Sequence, residues 1–229
     1  MARYLCTYMA SSPTDIRTLD IEGLKAVAVQ LGQPAFRGKQ IAEWLWTKGA
    51  TRFEDMTNLP QAFRSSLASE YLLSPIRAEE EQVSRDGTVK CAFPIETGKV
   101  VEGVLIPAKD RMTACISSQV GCSLSCAFCA TGKLKLMRNL TAGEIVDQVR
   151  HIAELAERHH HHRLTNIVYM GMGEPLLNYR NVLESVERIT GTPGLGMSPK
   201  RITVSTAGIS KMIRKLGDDE VRFNLALSL

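Results

Sequence analysis

Cys122-Ser-Leu-Ser-Cys126-Ala-Phe-Cys129 puts three thiols within eight residues at C-x3-C-x2-C spacing. Thiolates this close in sequence can converge on one inorganic centre. A structural zinc site takes four closed ligands, and an iron–sulfur cube in an electron carrier also takes four cysteines. With three protein ligands, one iron of a four-iron cube stays open and can chelate a substrate. Ordinary buried thiols are the competing reading, since free cysteine is often a core residue. Packing imposes no such spacing, however, and glycine and small polar residues surround the run.

Outward from this loop the chain alternates strand and helix. Met112 to Ser118 reads as a strand running into the cysteines. Thr141 to Leu155 reads as a helix, opened by the capping box Thr141-Ala-Gly-Glu144 and carrying Ile145, Val149 and Ile152 on one face. Asn166 to Met170, Arg201 to Ser205 and Arg222 to Leu229 read as strands, separated by helices over Tyr179 to Ile189 and Ile209 to Leu216. This alternation predicts right-handed βαβ units and a parallel sheet, the α/β class. The last strand, Phe223-Asn-Leu-Ala-Leu-Ser-Leu229, is apolar with nothing after it, whereas parallel strands are usually covered on both faces. An incomplete sheet is therefore expected at 111–229, in a C-terminally truncated and poorly stable fragment.

Towards the N-terminus the pattern changes twice. Residues 1–13 read as a loose leader. Residues 14–73 read as a small helical module. Its first helix starts at the N-cap Asp20, buries Ile21, Leu24, Ala28 and Leu31, and stops at Gly32. A second helix runs from about Arg37 to Lys48 with Ile41, Trp44 and Leu45 inward, and a third from Leu59 to Tyr71. Arg37, Lys39, Lys48, Arg52 and Arg64 give the module a basic face that can meet phosphates, although Glu43, Glu54 and Asp55 dilute it. Residues 74–110 read as a β linker, with strands at Thr88 to Pro94 and Lys99 to Pro107 around Glu96-Thr-Gly98. Pro94 and Pro107 suggest strand ends or edges, Glu79-Glu80-Glu81 a solvated charge run, and Cys91 a packing thiol. His159 to His162 reads as a loop variation that could bind metal adventitiously.

Composition narrows the class. In 229 residues, 44% hydrophobic and 23% charged residues are ordinary for a globular protein. A net charge of +4 permits a polyanionic partner without demanding one. Six cysteines in a chain this long do not suggest a small disulfide scaffold, so a reducing cytoplasm is expected. No stretch approaches the roughly 20 apolar residues of a membrane span.

A second chemical signal lies in Tyr169-Met-Gly-Met-Gly-Glu-Pro-Leu-Leu-Asn178, just after a strand. Ligands of parallel α/β folds gather at the carboxyl ends of strands. Gly171 and Gly173 could let the backbone approach a ligand, and Glu174 could accept from an ammonium group. Plain strand-to-helix punctuation would also use glycines here. Ser205-Thr-Ala-Gly208 and Ser228 add hydroxyls at two further strand ends.

Several motifs together resemble the RlmN family of radical S-adenosylmethionine (SAM) methyltransferases. They are Cys115-Ile-Ser-Ser-Gln-Val-Gly-Cys122, Cys126-Ala-Phe-Cys129-Ala-Thr-Gly, Arg138-Asn-Leu-Thr, Gly171-Met-Gly-Glu-Pro-Leu-Leu-Asn178 and Ser205-Thr. Pro34-Ala-Phe-Arg-Gly-Lys-Gln-Ile and Met56-Thr-Asn-Leu-Pro60 extend the likeness into the helical module. The related Cfr enzymes, which methylate carbon 8, share the cluster loop but commonly lack Glu-Pro-Leu-Leu.

The resemblance implies a partial (β/α) TIM barrel that methylates carbon 2 of adenine in 23S rRNA and tRNA. The expected cofactors are a 4Fe–4S cluster on Cys122, Cys126 and Cys129, and SAM held by Gly173, Glu174, Ser205, Ser228 and Leu229. Glu102 would accept a proton. Cys115 would attack a protein–RNA thioether, forming a disulfide with a methyl-carrying cysteine that neither Cys6 nor Cys91 matches. An external electron donor, no membrane and a monomer complete the expectation. A Cfr-like carbon-8 rRNA methyltransferase, another radical-SAM enzyme, and an RNA-binding module with a structural metal are the alternatives.

Overall fold

The computed structural model describes residues 13–95, 98–124 and 126–228. Residues 1–12 of the expected leader and Leu229 therefore lie outside the described residues. The chain forms two units, one running to Leu45 and over Ala50–Ser74, the other made of Trp46–Gly49 and Pro75 onward. Among the described residues, no helix is long and apolar enough to cross a membrane.

The first unit is helical. Strand β1 (Thr14–Asp15) pairs in parallel with β2 (Tyr71–Leu72), and α1 (Ile21–Gln30), α2 (Phe36–Glu43) and α3 (Gln61–Glu70) lie between them in sequence. Asp20 caps α1 as expected, its Oδ1 accepting from Gly23 N at 2.8 Å. Leu24, Val27 and Ala28 form the buried stripe, while Ile21 and Leu31, expected inward, are only half-buried. A Cβ at Gly38 would stand 2.5 Å from the backbone N of Lys25, so glycine is what lets α1 and α2 approach. The second helix ends at Glu43 and continues as a wider π turn, Trp44–Lys48. Trp44 is half-buried rather than inward, and its Nε1 donates to Asn58 Oδ1 at 2.5 Å.

The second unit is one seven-stranded mixed sheet. Its strands are β3 (Glu80–Val83), β4 (Val89–Ile95), β5 (Lys99–Ala108), β6 (Arg111–Cys115), β9 (Asn166–Tyr169), β10 (Ile202–Thr206) and β11 (Asn224–Leu227). Their order is β11-β10-β9-β6-β5-β4-β3, parallel from β6 through β11 and antiparallel from β3 to β6. The stretch set apart above as a linker is thus the antiparallel half of the same sheet. Pro94 is tolerated inside β4 because β3 pairs only as far as Ala92, leaving the position that would need an N–H without a neighbour. The acidic run is exposed as expected, but Glu80 and Glu81 belong to β3, and Glu81 meets both His151 and Arg158 at 3.2 Å.

Helices α4 (Ala142–His160), α5 (Tyr179–Thr190) and α6 (Ser210–Asp218) alternate with the parallel strands. The Thr141–Glu144 capping box forms as read. The helix it opens runs past Leu155 to His160, so His159 and His160 complete its last turn instead of forming a loop. His160 Nε2 meets Gly87 O at 3.0 Å and His162 Nδ1 its neighbour's carbonyl at 2.8 Å. His161 ends the helix in the left-handed conformation.

Only one sheet face is covered by these helices, contrary to the two-sided burial expected of parallel strands. Val89, Cys91, Phe93, Val101, Leu105, Ala114, Ile167, Tyr169, Ile202 and Val204 fill the closed face. Ile152 of α4 would lie 3.0 Å from a Cβ at Gly103, and Tyr169 Oη meets Ser185 of α5 at 2.7 Å. The alternating positions, Glu102, Val104, Cys115, Val168, Ser205 and Ala226, lie on the open face and are half-buried or exposed. Alternation through the inner strands is what a sheet with one wet face produces, while the edge strands β3 and β11 are exposed on both faces.

Candidate functional site

Four parallel strands end at the same edge of the sheet, and their exits are laced together. Ser118 N and Gln119 N, beyond β6, donate to Met172 O, beyond β9. The Glu174 carboxylate accepts from Leu176 N at 3.0 Å and from Ala207 N, beyond β10, at 2.8 Å. Ser228 N, beyond β11, donates to Thr206 O at 2.9 Å. Glu174 is 3% exposed. One carboxylate thus caps its own turn and holds the next strand exit, with a lone pair on each oxygen left for a ligand. Gly173, at φ +97°, makes its close approach to Gln119, where a Cβ would stand 2.5 Å from the side chain. Ser205 and Ser228 come together, Oγ to Oγ at 2.9 Å, because their strands are adjacent and in register.

The cysteines occupy a loop between two short strands, β7 (Gln119–Val120) and β8 (Arg138–Asn139), which pair antiparallel as its neck. Cys122, Cys126 and Cys129 are all half-buried free thiols. Leu124 N donates to Cys122 Sγ at 3.4 Å, and Gly132 packs against the carbonyls of Leu124 and Cys126. Residues 120–139 contain no Asp or Glu. Among the described residues, no three His, Cys, Asp or Glu side chains gather tightly enough to hold a single metal ion. A cluster does not require that, since each thiolate binds a different iron. Three soft donors with amide hydrogen-bonding and no competing carboxylate fit an iron–sulfur cluster with one open iron.

Cys115 ends β6 on the open face, opposite Val104 of β5. Burial pushes its thiol pKa up, with the Met170 backbone N–H partly opposing that. Glu102 lies one diagonal step along β5 on the same face, about 7 Å by ordinary sheet geometry. It is half-exposed and pairs with Lys90 Nζ at 2.6 Å, a partner the sequence did not suggest. Cys91 belongs to the closed face, 0% exposed, its pKa pushed up to about 12 by burial and then by Glu81. Among the described residues every cysteine is a free thiol, and Cys91 lies on the face of the sheet away from Cys115.

The buried amides of the site carry no local signal in the sequence. Gln148 of α4, 0% exposed, accepts from Ser117 N at 2.9 Å and donates to Ser117 O at 3.1 Å. Ser117 Oγ in turn donates to Glu102 O at 2.6 Å and accepts from Met172 N at 2.8 Å. Asn178 donates to Ser118 O and Leu140 O, both at 2.8 Å. Arg138 forms a two-pronged pair with Glu144, at 2.8 and 2.6 Å. Burial works to raise the Glu144 pKa, but Arg138 and the Thr141 amide outweigh it and hold the carboxyl below its usual range. In the helical unit, Arg37 donates to Gln40 Oε1 and Asn58 O, and Arg64 to Glu54 O. These two arginines of the expected basic face are therefore partly committed to local structure, while Lys39 is exposed.

A mixed α/β sheet with a three-cysteine loop laced into its strand exits defines the radical-SAM class. Residues 116–227 match the model of the radical SAM superfamily. Residues 14–73 match the ribosomal RNA large subunit methyltransferase N-terminal domain. Among curated relatives, the probable dual-specificity RNA methyltransferase RlmN of Cytophaga hutchinsonii is 54% identical, covering 99% of this chain and 63% of that protein. The protein of the same description from Flavobacterium johnsoniae is 54% identical over 94% of the chain and 62% of the relative. The crystal structure of a radical SAM methyltransferase from Sphaerobacter thermophilus superposes with a TM-score of 0.85 at 39% identity, covering 95% of this chain and 64% of that one. The chain belongs to the RlmN family, whose radical-SAM fold implies a 4Fe–4S cluster and SAM. It spans about three-fifths of the length of the curated relatives it matches.

Proposed function

We propose that this chain serves an RNA methyltransferase that modifies carbon 2 of adenosine in 23S rRNA and tRNA through a methylated protein cysteine, drawing electrons from an external donor. The lacing of the four strand exits carries the reading, because it sets Glu174, the Ser205–Ser228 pair and the neck of the cysteine loop along one edge. On this reading Cys122, Cys126 and Cys129 hold the cluster through Sγ. Gly173, Glu174, Ser205, Ser228 and Leu229 hold SAM, with Glu174 available to its ammonium group and the two serines to its carboxylate and ribose.

The cluster and SAM together supply a carbon radical, which ring carbon 2 requires because it is not nucleophilic enough for direct methyl displacement. Glu102 takes up the proton released from the modified base. Cys115 Sγ attacks the sulfur of the protein–RNA thioether, forming an S–S bond as the S–C bond breaks, and the departing carbon keeps the bonding pair and takes a proton to become the methyl group of the product. Burial pushes the Cys115 thiol pKa up, and Cys115 and Glu102 are diagonal neighbours on the same open face. Residues 14–73 are the RNA-facing accessory domain, 74–110 the segment whose strands carry Glu102, and 111–229 the cofactor-binding core.

Anaerobic reconstitution of the chain is expected to give about four iron and four sulfide per protein, with a visible spectrum that SAM perturbs. Cys126→Ala is expected to abolish it. Tight zinc binding without iron or SAM would instead mark a structural metal in an RNA-binding module. For the full-length enzyme, the position of the methyl group in product RNA, read by mass spectrometry against 2- and 8-methyladenosine standards, decides between the carbon-2 and carbon-8 chemistries.

A further inference from the structure

We propose that Asn178 is a positioning residue for the cysteine loop: it is the clip that closes the loop's neck and ties it to the turn beginning at Glu174. This rests on the reading that Cys122, Cys126 and Cys129 hold a cluster. The neck alone is weak, since β7 and β8 contribute only two residues each and a ladder that short has little independent stability. Asn178 supplies what the ladder lacks. It is 2% exposed, and its single amide nitrogen donates at 2.8 Å to Ser118 O on the incoming stem and at 2.8 Å to Leu140 O on the outgoing stem. Leu140 N donates to Ser118 O at 3.1 Å, closing the same ring, and Asn178 Oδ1 is satisfied by Asn181 Nδ2 at 2.7 Å.

Gln119 of β7 makes a second clasp to the same turn. Its Oε1 accepts from Glu174 N at 2.8 Å and its Nε2 donates to Asn139 Oδ1 at 2.7 Å, across the ladder. The turn Glu174–Asn178 therefore grips both stems of the loop, with Glu174 at one end and Asn178 at the other. Gripping two carbonyls from one side chain takes a nitrogen with two hydrogens at this reach. Aspartate would set oxygen against oxygen, and an apolar residue would leave the Leu140 carbonyl buried without a donor. Groups that orient metal-bearing loops without touching the metal govern retention of the metal.

The test uses the 229-residue chain with Asn178→Asp, Asn178→Ala and, as a control that loses only the far-side bond, Asn181→Ala. A second control, Leu105→Ala, lowers stability in the sheet core away from the neck. Without iron, amide exchange over residues 121–138 is expected to rise about ten-fold in both Asn178 variants and in neither control at matched stability. After reconstitution, iron retained through gel filtration is expected to fall about ten-fold in the Asn178 variants. Wild-type exchange and iron retention in Asn178→Asp, or equal losses in Leu105→Ala, would overturn the proposal and leave Asn178 a fold residue only. If the unsubstituted chain takes no iron, the cluster reading fails, and the exchange measurement still decides whether Asn178 clips the neck.

Discussion

Leu105 and Val104 are consecutive residues of one strand with different surroundings. Leu105 is 0% exposed under the helices, and Val104 is half-buried between Lys90 and Cys115 on the open face. The same division runs through β4, β5, β6, β9 and β10: apolar side chains packed against helices on one side, and on the other a less buried face that carries Glu102, Cys115 and Ser205. Stability and chemistry are thus assigned to opposite faces of one set of strands. A residue's parity within its strand decides which of the two it serves.

Exchanging the two faces is the severest test of this division. Leu105→Ala is expected to lower unfolding free energy by about 3 kcal/mol, because the surrounding helices cannot collapse onto the cavity. Val104→Ala, one residue away, is expected to cost less than about 1 kcal/mol, since its surroundings are already open. Equal losses in urea titrations would break the comparison.

A smaller effect is expected at the junction of the two regimes, where Arg138 and Glu144 anchor the cysteine loop to the covering helix. The carboxyl pKa is depressed in the folded state, so its contribution is present above the unfolded value near 4.3 and is lost as pH falls through the folded value. Glu144→Gln should cost roughly 2 kcal/mol at neutral pH and flatten the acid limb of stability. An unchanged acid limb in thermal melts would refute the pairing. The smallest effect concerns Cys91 on the closed face. Its raised pKa means that the unfolded chain ionises first, so this contribution is lost as pH rises from about 8.5 towards about 12. Cys91→Val should alter neutral stability by less than about 1.5 kcal/mol and reduce the alkaline decline.

Local signals were legible in the sequence where a residue acts on its neighbours. Asp20 caps α1 and Thr141 caps α4 because both need only a backbone N–H three residues on. The alternation in Ile-Thr-Val-Ser-Thr, over 202–206, already marked one covered face, yet the general habit of parallel sheets suggested two. Strand β3 was hidden within an acidic run because its support comes from His151 and Arg158, about 70 residues away. The histidine run looked like a loop because nothing local shows that a helix will continue through it.

The sequence by itself determined the three-cysteine loop, the βα alternation and the identity of the groups at each strand end. Spacing and periodicity are properties of a chain before it folds, and those features depend on nothing else. Only the tertiary structure decided that Cys115 and Glu102 share an open face, that Ser205 meets Ser228, and that Asn178 closes the neck of the cysteine loop. Each of those depends on strand register and on hydrogen bonds between distant segments, which exist only once the sheet has set its order.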